Sequence, residues 1–176
     1  MILALYEHRD GVETHDGNRV VYDVAANEAW FGAARVEGQA LRWELGVEAD
    51  GAKLAAGVEP ADGWLMRCDR IDFPPGGIAY THTHPGPGIR CLLFGSIRIE
   101  SGGSTNDYAP LEPWFESGPE PVHAVASTTE PSAFVRVMLL PPEWEGKRTI
   151  RYVDPADEDK PKLQKPTVFF DRPISL

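Results

Sequence analysis

Cysteine is scarce: the 176-residue chain carries two, Cys68 and Cys91. Each lies in an apolar stretch and neither stands in a Cys-x-x-Cys spacing, so the pair reads as two buried thiols rather than a redox or metal motif. Long apolar runs are also missing. None approaches the ~20 residues of a membrane span, and Met1 to Tyr6 is apolar without the basic flank or length of a signal peptide, so no membrane partner and a cytoplasmic location are expected. Basic clusters are lacking as well. With 17 Lys and Arg against 27 Asp and Glu, the formal net charge is −10. Nothing is present to release counterions from a phosphate backbone, which disfavours nucleic acid as a partner. The acidic run Asp154 to Asp159 is followed at once by Lys160, Lys162 and Lys165, which makes it a solvated mixed-charge loop.

Helical periodicity is scarce too, and Ala25 to Ala34 is the one stretch considered for a short helix. What the chain does have is punctuation: 17 glycines and 16 prolines separate short segments with strand character. These are Arg19 to Val24, Leu41 to Val47, Trp64 to Phe73, Ile78 to Thr83, Ile89 to Phe94, Ser96 to Glu100, Val122 to Ala126, Ala133 to Leu140, Thr149 to Val153 and Thr167 to Phe170. Asp50-Gly51, Pro74-Pro75-Gly76-Gly77, Gly102-Gly103 and Pro141-Pro142 supply the turns, and Tyr108 to Pro121 reads as a long loop. Many short strands at regular spacing predict an all-β sandwich or barrel. The length suits one domain.

Chemistry concentrates in "YTHTHPGPGIRCLLFG", Tyr80 to Gly95. Side chains alternate along a strand, so His82 and His84 share a face with Tyr80 and Ile78, and two imidazoles at i and i+2 are able to chelate one ion. If Pro85-Gly86-Pro87-Gly88 turns the chain back, Gly88, Arg90 and Leu92 face the same interior, while Ile89, Cys91 and Leu93 face away.

At these residues the chain resembles the cupins, small double-stranded β-helix (jelly-roll) barrels. Their first motif is Gly, five residues, His-x-His, three or four residues, Glu, six residues, Gly. Here Gly77 stands one residue closer to His82 than the motif asks, His82-Thr83-His84 matches, Gly88 takes the place of the Glu, and Gly95 falls on the closing glycine. In "ESGPEPVHAVAS", His123 aligns with the histidine of the second motif, with Gly118, Glu120 and Ser127 at its Pro, Gly and Asn. The resemblance spans Trp64 to Leu140. It implies a barrel core over about 64–140, with residues 1–63 as extra N-terminal strands and 141–176 as a C-terminal segment.

By the same resemblance His82, His84 and His123 are expected metal ligands without the usual carboxylate. Such a set leaves a divalent ion its full charge and open positions, a pattern similar to three-histidine iron dioxygenases. Fe(II) is the expected metal, with Zn, Ni or Mn as occupants of a purified sample, and the substrate is a small carboxylate, diketone or thiol. Arg90 and Tyr80 are the expected catalytic residues: the guanidinium to hold an anion or, alternatively, to pair with Glu120 or Asp72, and the phenol to orient a substrate oxygen or to fill the barrel mouth. The alternatives are a non-catalytic small-molecule-binding cupin and a metal-independent isomerase or epimerase with His84 or His123 as general base. A homodimer is implied by the resemblance alone.

Overall fold

The structure, a computed structural model, describes residues 1–176 and contains seventeen strands, two short 3-10 turns and no α-helix. Seven strands come first: β1 (Ile2–His8), β2 (Val12–Thr14), β3 (Arg19–Asp23), β4 (Glu28–Phe31), β5 (Ala34–Val36), β6 (Ala40–Gly46) and β7 (Leu54–Gly57). Eight barrel strands follow: β8 (Leu65–Phe73), β9 (Ile78–Thr83), β10 (Gly88–Phe94), β11 (Ile97–Ser101), β12 (Ser104–Tyr108), β13 (Pro113–Glu116), β14 (Val122–Ala126) and β15 (Ser132–Leu140). The chain closes with β16 (Arg151–Tyr152) and β17 (Lys165–Pro173).

The eight barrel strands form two facing antiparallel sheets, ordered β13-β10-β15-β8 and β12-β11-β14-β9. Except at the β11–β12 hairpin, successive strands cross from one sheet to the other, which is the jelly-roll winding. At one edge the C-terminal segment lengthens both sheets, with β17 pairing with β8 and β16 with β9. The barrel is therefore closed on one side by residues beyond Leu140.

The first sixty residues do not extend the barrel sheets. They build a third sheet, β4-β3-β6-β1-β7, whose apolar face lies on the outer face of β8, β10 and β15. Leu3, Leu5, Leu41 and Trp43 pack there against Met66, Cys68, Ile89, Val135 and Leu139, and Trp43 Nε1 donates to Ile89 O at 3.1 Å. Strand β15 is thus covered on both faces and all nine of its residues are buried. That explains its near-continuous apolar run, since a strand with two buried faces loses the alternation of a half-exposed one.

Two loop and helix expectations change. Ala25 to Ala34 forms the β3–β4 hairpin and the start of β5, because Asp23 Oδ1 accepts from the amides of Ala25 and Ala26, both at 2.9 Å, and Asn27 takes a left-handed φ of 56°. An Asx turn of this kind competes with helix initiation. Within Tyr108 to Pro121, Pro113–Glu116 pairs with β10 instead of looping past it.

Candidate functional site

Between the two barrel sheets lies a cavity of about 400 Å³. One part of its wall is apolar, with Ile71, Phe73, Ala79, Ile99, Trp114 and Phe134; the other carries His82, His84, Arg67, Asp69, Glu116 and Arg136. Residues of the C-terminal segment, including Thr149 and Tyr152, complete the lining.

The histidines owe their aim to an irregularity in β9. Val122 pairs with His82 and Ala124 with Ala79, so three steps on β9 match two on β14. Such a bulge reverses the side-chain phase. Ala79 and His82 both point inward, and His84 follows two residues on. Thr81 faces the outside, and Tyr80 joins it. The expected placement of Tyr80 beside the histidines is thereby corrected: its ring lies 4.7 Å from Lys160 Nζ, outside the cavity lining.

His82 Nδ1 sits 2.7 Å from Tyr80 O and His84 Nδ1 sits 3.3 Å from Thr149 O. A carbonyl only accepts, so in both rings Nδ1 carries the proton and Nε2 is left as a lone pair. The two Nε2 atoms face each other at 3.2 Å, with the rings at 81°. Burial, reinforced for His84 by Arg136 and Arg90, holds His84 well below the ordinary imidazole range, and burial lowers His82 as well. Both rings are neutral at pH 7.

Three ion pairs surround them. Arg136 grips Asp69 in a two-pronged contact at 2.6 and 3.0 Å while its Nη1 donates to His84 Nε2 at 3.3 Å. Asp69 outweighs burial, and the Arg136 pKa rises. Arg90, fully buried, reaches Glu116 Oε2 at 2.6 Å, and Glu116 Oε1 accepts from Trp114 Nε1 at 2.8 Å. Burial pulls the Arg90 guanidinium down to about 10 despite Glu116. Arg67 binds Asp171 at 2.5 Å. Across the sheet, Arg90, Arg136 and Asp69 stand in register on β10, β15 and β8. Two like charges directly opposite each other would repel, and the acids flanking them remove that cost.

His123 is not part of this cluster. Val122, Ala124 and Ala126 take the inward positions of β14, so His123 falls on the opposite phase, outside, with Nδ1 3.4 Å from Thr81 Oγ1. This corrects the expected convergence of three imidazoles. Nor does Arg90 pair with Glu120 or Asp72: its partner is Glu116, from the segment read as loop. Asp69, Glu116 and Thr149 went unnoticed in the sequence. A signal was present for Asp69, since Arg67, Asp69, Ile71 and Phe73 alternate as one inward face.

Neither a family model nor a curated protein matches the sequence. Among solved structures, the chain is similar to the polyketide cyclase RemF from Streptomyces resistomycificus, with 22% identity over 53% of this chain and 63% of that one, TM-score 0.41. The match thus spans less than two thirds of the cyclase. A cupin superfamily protein from Desulfitobacterium hafniense DCB-2 aligns at 15% identity over 48% of this chain and 84% of that one, TM-score 0.38. A protein from Thermus thermophilus aligns at 22% over 49% and 91%, TM-score 0.37. What decides the fold is the winding of β8 to β15 itself. The fold is a double-stranded β-helix, or jelly-roll, barrel.

The histidine pair raises the question of a metal, and the donors present here answer it. No group of three or more His, Cys, Asp or Glu side chains is arranged to hold an ion. At Gly88, where the cupin motif has Glu, an added Cβ would meet Val137 O at 2.5 Å, so that position has no room for any side chain. Glu116 is engaged by Arg90 and Trp114, and a guanidinium N–H occupies the His84 lone pair. A dication at His82 and His84 would have two guanidinium groups beside it and at most one free imidazole donor. The residues do not fit a three-histidine iron centre.

Proposed function

We propose that this cupin barrel is a metal-independent proton-transfer enzyme, of the isomerase or cyclase class, acting on a small enolisable carbonyl compound. One observation carries the reading: two neutral imidazoles, each anchored through Nδ1 to a backbone carbonyl, bring their Nε2 atoms to 3.2 Å inside a largely apolar cavity, that of His84 accepting from Arg136 and that of His82 left free.

A neutral, desolvated imidazole with a fixed tautomer is a competent general base at pH 7. His82 Nε2 takes the proton from the carbon next to the carbonyl. The C–H electron pair moves into the enolate, and the proton stays on His82 Nε2 as an imidazolium, while His84 Nε2 accepts from Arg136 and holds that guanidinium beside it. Arg136 Nη1 has a second N–H, and it donates to the substrate oxygen as negative charge develops there. Returning the proton to another carbon, or capturing the enolate within the same molecule, completes a redox-neutral reaction. Asp69 keeps the guanidinium in place, and the apolar wall excludes water.

Proton NMR of acetylacetone, butanone and benzylacetone in deuterated buffer tests this through loss of the signal of the exchangeable protons. The wild type accelerates exchange, and His82→Gln lowers the rate by about a hundredfold or more. Exchange that disappears after dialysis against chelator and returns with a single added metal would overturn the reading, as would an unchanged rate in His82→Gln.

A further inference from the structure

The cavity also specifies what kind of carbonyl compound it accepts, an argument that rests on the reading above. Every ionised side chain that the barrel strands turn into the cavity already has a counter-charge: Arg67 with Asp171, Asp69 with Arg136, and Glu116 with Arg90. At the rim Arg148 pairs with Glu158, and the Lys162 ammonium donates to the carbonyls of Glu158 at 2.8 Å and Lys160 at 2.7 Å. Lys147 is exposed to solvent. A carboxylate entering between the barrel sheets would lose its hydration and meet there only guanidinium groups already paired with an acid; the lysines without an acid partner, Lys147 and Lys162, belong to the C-terminal segment and not to the barrel strands.

The sheet that carries His82 has a second feature. Ala79 and Ala124 are cross-strand partners, both buried, and both line the cavity among Phe73, Ile99, Trp114 and Phe134. Two alanines side by side, across the cavity from Phe73, Trp114 and Phe134 of the first barrel sheet, create depth on the apolar side. Hydrocarbon is the chemistry that fills such a space.

We infer that the substrate is an uncharged carbonyl compound with a hydrocarbon body, the carbonyl meeting His82, His84 and Arg136 and the body lying over Ala79 and Ala124. Arg90 therefore balances Glu116 and takes no part in holding a substrate anion.

Calorimetry with three probes tests this independently of turnover: benzylacetone, its isosteric carboxylate hydrocinnamate, and butanone, which lacks the ring. Benzylacetone is expected to bind wild type at least tenfold more tightly than hydrocinnamate. Ala124→Leu is expected to weaken benzylacetone at least tenfold while leaving butanone within about twofold, the range of discrimination that a few methylene-sized contacts supply. Retained butanone binding also reports that the variant is folded. Hydrocinnamate binding as well as or better than benzylacetone overturns the inference, as does equal weakening of both ketones in Ala124→Leu or no binding of any ketone. Selective ketone binding without proton exchange leaves this inference standing and removes the proposed reaction instead.

Discussion

The first barrel sheet has two faces built from the same three strands, and they are opposites. Outside, Met66, Cys68, Ile89, Cys91, Val135, Val137 and Leu139 meet the N-terminal sheet in a closed apolar layer, where burial pushes the Cys91 thiol up to about 12. Inside, Arg67, Asp69, Arg90 and Arg136 stand in a row of ion pairs against a cavity. The outer face contributes apolar burial, worth roughly 1.5–3 kcal/mol for each large side chain. Buried ion pairs contribute little net stability, because desolvation offsets their attraction. Their presence in a sheet whose other face is wholly apolar marks the inner face as the one shaped for chemistry.

Removing one member of an inner pair is the severest way to break this contrast. Asp69→Ala leaves the Arg136 guanidinium buried without its partner and is expected to cost about 3–5 kcal/mol in urea unfolding, more than most single truncations in the outer layer. A loss under about 1 kcal/mol would place Arg136 in water and remove the contrast. Gly88→Ala comes next. Its Cβ would meet Val137 O and, at 2.8 Å, Met138 Cγ, so β10 and β15 must separate, at a cost of about 1–3 kcal/mol.

Acid sharpens the comparison, since the outer face has nothing to protonate. His82 and His84 are held below their ordinary value of 6.5, mainly by burial. Between 6.5 and the lower folded values, the unfolded chain binds more protons than the folded one. Stability is therefore fully present above the unfolded value and falls as pH drops through and below it. Thermal melts of wild type should lose stability as the pH is lowered from about 7 to 5, while the His82→Gln, His84→Gln double variant should show a shallower decline over that range. Equal slopes would mean that the pair is solvated. The smallest effect belongs to the misphased histidine: His123→Ala should change stability by no more than about 0.5 kcal/mol and leave proton exchange and ligand binding at wild-type levels.

Much of the barrel was legible from the chain alone. Ile78–Thr83 and Val122–Ala126 have the bounds that alternation and turns predict, and the inward set Gly88, Arg90 and Leu92 follows from period two after the Pro-Gly turn. Strand β13 was hidden because Pro113–Glu116 is four residues in a proline-punctuated stretch. Strand β1 was hidden because only its pairing with β6 on one edge and β7 on the other shows Ile2–His8 to be internal to a sheet. The site was less legible. His82 and His84 stand out by spacing, but Glu116 and Thr149 lie 32 and 65 residues from His84 in sequence, and only pairing across the barrel brings them to it.

By itself, then, the chain determined that it would be a barrel of short strands with a histidine pair on an inner strand, since period-two alternation and turn chemistry are local properties. Tertiary structure decided which side chains share the cavity. One extra residue in β9 turned Tyr80 outward and His82 inward, and the opposite phase of β14 put His123 outside. Strand phase inverts with a single-residue slip, and such a slip is set by hydrogen bonding to a strand some forty residues away, which no local pattern records.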